Sequence, residues 1–267
     1  MSDRHSLGAR LVLVGTLLFL YLPIAVLVAL SFNSSRQPFT WGGFSTRWYT
    51  SLLANEDVLL GLRNTLVVAV GATLLSTVLG TLLAVGLARR RRSAALAGLA
   101  LTPAVLPDIL LAIGLLSFYA LIQFSLGLQS ILLAHVVFGT AFVTAVVRAR
   151  LSSLDPSTEE AARDLGATPF QAFRLVTLPA LTPGIVAGAL LAFTLSLDEF
   201  VIAFFTAGPG QATLPIVIYS SVRFGVTPEI NALAALLLLV SFTAVLVAQR
   251  TARITDAVEP APAREDA

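Results

Sequence analysis

The sequence predicts an all-α integral membrane protein: six transmembrane helices, both termini cytoplasmic, and a short helical loop on the cytoplasmic side between spans 4 and 5. Three observations carry this. Of 267 residues, 57% are hydrophobic and only 12% charged, about half the charge of a soluble domain. Six apolar stretches are long enough to cross a bilayer. The arginines are spread unevenly between the segments that join them.

A membrane-crossing helix needs about 20 apolar residues for a hydrocarbon core about 30 Å thick. The qualifying stretches lie at 10–31, 64–88, 94–121, 128–147, 181–207 and 230–249. Backbone polar groups cannot go unpaired in lipid, so each is read as a helix. The first follows Arg4 and Arg10 like a signal peptide. Its run from Leu11 to Leu30 is too long for one, and no small-residue cleavage site follows. It is expected to be a retained helix.

Even-numbered crossing puts both termini on one side. Thirteen arginines then fall inside and four outside, namely Arg36, Arg47, Arg63 and Arg223. This is a strong positive-inside bias. The run Arg89–Arg92 could be taken for a nucleic-acid patch, but between two spans it reads as a topology anchor. In the outer segment 32–63, Trp41, Trp48 and Tyr49 are expected at the membrane interface, and Asn33, Gly42 and Gly43 mark turns. Residues 1–250 form the transmembrane domain, and 251–267 a short disordered cytoplasmic tail.

Cysteine is absent, which removes disulfides and thiolate chemistry. Lysine is absent too, and a phosphate-binding P-loop needs one. The chain therefore carries no ATPase motif of its own.

The loop at 148–180 reads as two short helices. Asp155 and Pro156 suit a helix start, Glu159 and Glu160 suit its positive end, and Gly166 suits its stop. Thr168 and Pro169 start the second helix, which presents Phe170, Phe173 and Val176. Such a helix could lie on lipid or dock into a partner's groove.

Glu160-Ala161-Ala162, then Gly166, then Leu178-Pro179 resemble the EAA loop of ABC importer permeases. Trp41–Tyr49, Leu106–Ile109, Leu197–Phe200, Gly208–Gly210, Thr213–Pro215 and Pro228–Leu233 resemble the spermidine/putrescine branch of that family. The Asp-Asp pair associated with that branch is Asp198-Glu199 here. The resemblance implies a transport subunit, not an enzyme, in the bacterial inner membrane. It implies a coupling helix at 156–177 that docks on a separate ATP-binding subunit, with Glu160, Ala161, Ala162, Gly166 and Pro179 as coupling residues. The expected partners are an ATPase dimer, a second and different permease chain, and an extracytoplasmic binding protein. No cofactor is expected on this chain; ATP and Mg belong to the ATPase. The expected cargo is a polyamine, with ferric iron or another small solute as the alternative.

Asp108, Asp198 and Glu199 fall within spans, where an ionised group is costly and usually faces a pathway. No arginine shares those spans, so the acids suit a cation pathway. At 1.5 Å per residue, Asp108 and Asp198 lie about 21 and 26 Å along their helices. The alternative is structural, with the acids protonated, capping a kink after Pro107, or bonded to backbone. Pro103 and Pro107 are expected to kink the third span. His135 is expected to be neutral and bonded to a neighbouring helix rather than a proton relay. Phe193, Phe200 and Phe204 are expected to form a packing stripe rather than an ammonium cage, with Phe205 and Tyr219 as looser candidates. Gly80, Gly86, Gly184 and Gly188 suit close helix packing. A membrane-embedded hydrolase would have Ser117, Ser125 and His135 available, but no hydrolase motif accompanies them. An independent channel would leave the EAA loop without a purpose.

Overall fold

The computed structural model describes residues 3–37, 40–89, 94–223 and 225–256. Among them every regular element is helical, and extended pairing is limited to one isolated bridge between Asn33 and Phe44. The chain divides into two compact units. One joins the segment ending at Glu56 to the segment starting at Ser220; the other is Asp57–Tyr219.

The first unit contains α1 (Asp3–Ser31), α2 (Arg47–Ala54) and α12 (Pro228–Asp256). α1 packs on α12, and α12 on α2. Side chains from Gly8 to Val26 are exposed, as suits a helix whose solvent is lipid. Asn33 organises the turn after α1. Its Oδ1 accepts the N–H groups of Ser35 and Gly42, at 3.1 and 2.9 Å, and its Nδ2 donates to the Thr40 carbonyl at 2.9 Å. The Trp48 indole N–H donates to the Asn33 carbonyl at 2.6 Å, and Trp48 is buried. Trp48 is thus a core residue of this segment, not the interfacial anchor expected; its N–H found a partner inside. Trp41 stays exposed. Glu229 accepts from Ser51 and Asn55, tying the start of α12 to α2.

The second unit is built on α3 (Glu56–Arg89), α6 (Leu128–Ser152) and one long helix from Pro169 to Asp198. That long helix comprises α8 (Pro169–Ala172), a π-helical segment (Phe173–Thr177) and α9 (Leu178–Asp198). With α1, these make, among the described residues, four helices long and apolar enough to cross a membrane. Small residues let the backbones meet, which is how helices associate without a hydrophobic drive in lipid. A Cβ on Gly184 would lie 2.6 Å from Arg150 Cβ, and one on Gly188 would lie 3.4 Å from Val143 Cα. On α3, Gly80 meets Val143 in the same way, whereas Gly86 faces open space. Ala84, Val143, Val147, Leu181 and Ala192 form the buried core there.

Several expected spans differ from the sequence reading, the second starting at Glu56 rather than at 64. The third is two helices, α4 (Ala94–Val105) and α5 (Asp108–Leu121), bent by 105°. The break falls at Leu106-Pro107, because proline lacks an N–H and pushes the preceding residue out of helical geometry. Pro103 sits inside α4 without breaking it. The fifth span starts earlier than 181, at Pro169, and breaks between Asp198 and the short α10 (Val201–Thr206). At that break the Glu199 backbone is extended and its carboxylate accepts the Ile202 N–H at 2.9 Å. α11 (Leu214–Arg223) follows. α12 continues to Asp256, into the stretch expected as a disordered tail, since no glycine or proline interrupts it there. Arg90–Arg92 and residues 257–267 lie outside the described residues.

Candidate functional site

Two clusters emerge, both in the second unit. The first is the loop after α6. α7 (Ser157–Asp164) forms the predicted first helix. Asp155 Oδ1 accepts the Ser157 N–H at 2.9 Å. The backbone and side-chain hydrogen bonds from Ser157 hold the Asp155 carboxyl below its ordinary value. Gly166 ends the helix at φ +92°, a conformation side chains with a Cβ rarely adopt, with open space around it. Thr168 then caps α8: its Oγ1 accepts the Gln171 N–H, and Gln171 Oε1 accepts the Thr168 N–H at 2.8 Å. This is a reciprocal capping box.

The loop has two faces. Glu160, Ala161, Gly166 and Pro179 are exposed, together with Leu165, Phe170 and Leu175. Ala162 and Glu159 turn toward the body of the unit. Thr177 Oγ1 donates to Glu159 Oε2 at 2.6 Å, and Arg89, at the end of α3, lies 3.6 Å from Glu159 Oε1. The Arg89 guanidinium also sits 5.4 Å over the Phe173 ring. The sequence reading gave Glu159 only a helix-dipole role and missed Thr177. The adjacent acids at 159–160 were the available signal, since neighbours on a helix point about 100° apart.

The second cluster joins two helix breaks. α5 packs against α10 through Leu111, Ala112 and Ile202. This brings the first residue of α5, Asp108, to the break carrying Asp198 and Glu199. Both Asp108 and Asp198 are within electrostatic range of Glu199. Asp108 and Asp198 are exposed, and Glu199 is half-buried. Straight helices would place Asp108 and Asp198 at similar depth; the 105° bend removes that basis, and α5–α10 packing brings them together instead.

Beside the break, the Phe200 ring lies tilted at 4.6 Å from Tyr219 and 5.4 Å from Phe204. The break separates Phe193, on α9, from the other two phenylalanines of the expected stripe, and Tyr219 takes its place. His135 is buried, and its Nδ1 lies 2.7 Å from Ser196 Oγ on α9. It is bonded to a neighbouring helix, as expected.

Helices that cross lipid, two of them broken beside acidic residues, and a capped loop with an exposed apolar face define a membrane permease. Residues 76–257 match the family described as "Binding-protein-dependent transport system inner membrane component", and the chain belongs to that family. It is 46% identical to the putrescine transport system permease protein PotI of Escherichia coli K12 over 229 residues, 82% of each chain. It is 41% identical to the spermidine/putrescine transport system permease protein PotC of the same strain, over 88% of this chain and 90% of that one. Among solved structures, a bacterial ABC transporter importing the acidic polysaccharide alginate matches with a TM-score of 0.71. It covers 93% of this chain and 97% of its own at 17% identity, a likeness of fold alone. The chain is a multi-pass inner-membrane transport subunit, not an enzyme.

Proposed function

We propose that this chain forms, with a second and different permease chain, the translocation pathway of an ATP-driven importer of polyamines. The observation that carries the cargo is the meeting of two helix breaks at Asp108, Asp198 and Glu199, with no arginine in α4, α5, α9 or α10. Broken helices at membrane depth are tolerated where they line a cavity, and transporter sites form there. Carboxylates attract an alkyl polyammonium, and the relatives named for putrescine and spermidine support that class.

The topology we propose has six spans: α1, α3, the α4–α5 pair, α6, α9 and α12. Both termini and the 148–180 loop face the cytoplasm, in keeping with thirteen arginines inside against four outside. Glu160, Ala161, Ala162, Gly166 and Pro179 form the docking and coupling surface for a separate ATPase dimer, which hydrolyses Mg-ATP. An extracytoplasmic binding protein delivers the cargo. The helices then rock between outward- and inward-open arrangements around the acids. Asp198 is the principal cargo carboxylate. Asp108 adds charge from α5, and Glu199 divides its oxygens between the α10 cap and the pathway.

The test is ATP-dependent uptake into proteoliposomes holding the complete transporter. Labelled putrescine and spermidine are compared with ferric iron and a neutral sugar, with and without the binding protein. Polyamine uptake alone is expected. Uptake of iron or sugar without polyamine overturns the cargo.

A further inference from the structure

We propose that Glu159 is a positioning residue for transport. Its carboxylate ties the coupling helix α7 to the end of α3 and to the root of α9, so that displacement of α7 reaches both membrane helices. This rests on the coupling role given above to the loop.

Apart from this tie, α7 is lightly held. None of its eight residues is buried. It hangs between the turn at Asp155-Pro156 and the positive-φ turn at Gly166. A cavity of about 360 Å³ lies beneath it, lined among others by Val85 and Arg89 of α3, Leu151 of α6, Glu159, and Thr177 and Ala180 at the root of α9. α7 touches the π-helical segment and α8, but a helix above a cavity, with no core side chain of its own, pushes its neighbours only weakly by packing alone. Glu159 closes that gap with both oxygens, one to Arg89 and one to Thr177.

Both ends of the tie sit where motion is useful. Arg89 is the last residue of α3, so a pull there acts on the whole helix. Thr177 closes the π-helical segment, and such segments are rare and frequent at functional sites. Arg89 also stacks over Phe173, the first residue of that segment. One carboxylate therefore links α7, α3 and the π segment. The ion pair is largely exposed, with Arg89 at 53%, and such pairs add little static stability. Its consequence lies in transmission.

The experiment uses the complete reconstituted transporter and reads cargo imported per ATP hydrolysed. Glu159→Ala is expected to keep the ATPase bound and turning over, while import per ATP falls about tenfold, within the range of substitutions along coupling networks. Arg89→Glu should fall similarly, and the exchange pair Glu159→Arg with Arg89→Glu should recover most of the loss. Thr177→Val, which leaves the ion pair, should lose less. Glu159→Gln keeps the acceptor for Thr177 and covers the case in which the alanine variant does not fold; it should lie between wild type and Glu159→Ala. Wild-type import per ATP in Glu159→Ala or Glu159→Gln overturns the proposal, as does an exchange pair no better than its single variants. Glu160→Lys, on the exposed face, is the internal reference and should release the ATPase. If Glu160→Lys also binds and couples normally, the coupling reading of the loop has failed. If only the Glu159 variants are silent, the proposal alone falls.

Discussion

The loop at 148–180 and the acidic break cluster are built in opposite ways. The loop is local. Its caps pair residues two or three apart, as in Ser157 with Asp155 and Gln171 with Thr168, and its turn depends on one glycine. The break cluster is assembled from residues about ninety positions apart, Asp108 and Asp198–Glu199, held by α5 packing on α10. Damage to the loop should act through backbone geometry and assembly. Damage to the cluster should act through charge, with assembly intact.

The strongest way to break that contrast is Gly166→Val. The φ of +92° strains any β-branched residue although the space is open, at a cost of roughly 1–3 kcal/mol in the loop. The expected result is loss of ATPase co-purification and of transport. Gly166→Asn, which tolerates positive φ better, should retain part of both. Normal co-purification in the valine variant would remove the backbone argument.

Next come the acids. Asp198→Asn should raise the cargo concentration for half-maximal uptake about tenfold, equivalent to losing about 1.4 kcal/mol of attraction, with the complex still assembled. Glu199→Gln keeps an acceptor for the Ile202 N–H and loses the charge, whereas Glu199→Leu loses both. If Gln behaves like wild type and Leu does not, Glu199 is a cap rather than a pathway acid. Uptake titrations of purified complexes decide this.

A smaller effect is expected at the α6–α9 contact. Gly184→Ala places a methyl 2.6 Å from Arg150 Cβ and should cost about 1–3 kcal/mol through overpacking. Gly188→Ala, with 3.4 Å to Val143 Cα, should be tolerated. Thermal unfolding in detergent should separate the two.

The smallest effect concerns the α7 cap. Hydrogen bonds from Ser157 depress the Asp155 carboxyl in the folded loop. Its contribution is therefore present above the unfolded-state value and is lost as pH falls through the depressed one. Protease cleavage within 156–166 should rise slightly at acid pH in wild type. It should show no such dependence in Asp155→Asn, which keeps the acceptor without titrating.

What was legible followed the same division. Asp155, Gly166, Thr168 and Pro169 announce the loop, because caps and turns act over a few residues. The apolar periods marked where membrane helices lie. The break at 106–107 was half visible: Pro107 signalled a kink but not its 105° size, which depends on packing around α5. The break at 199 carries no proline, and its cause is a side-chain cap that only the folded chain forms. Trp48 was misplaced because an aromatic residue in an outer segment looks the same in sequence at an interface or bonded to Asn33. Glu159 escaped because its partners, Arg89 and Thr177, come from 70 residues before and 18 after.

The π-helical segment has a rotational consequence. Adding one residue to a helical stretch turns everything beyond it by about 100°. Phe170 can thus face outward while Gly184 and Gly188, on the same continuous helix, face α6. Deleting a single residue within 173–177 would keep the helix and its apolar composition. It would nevertheless swing the glycines off α6 and carry Asp198 round the helix axis, so five residues set the phase of the whole of α9.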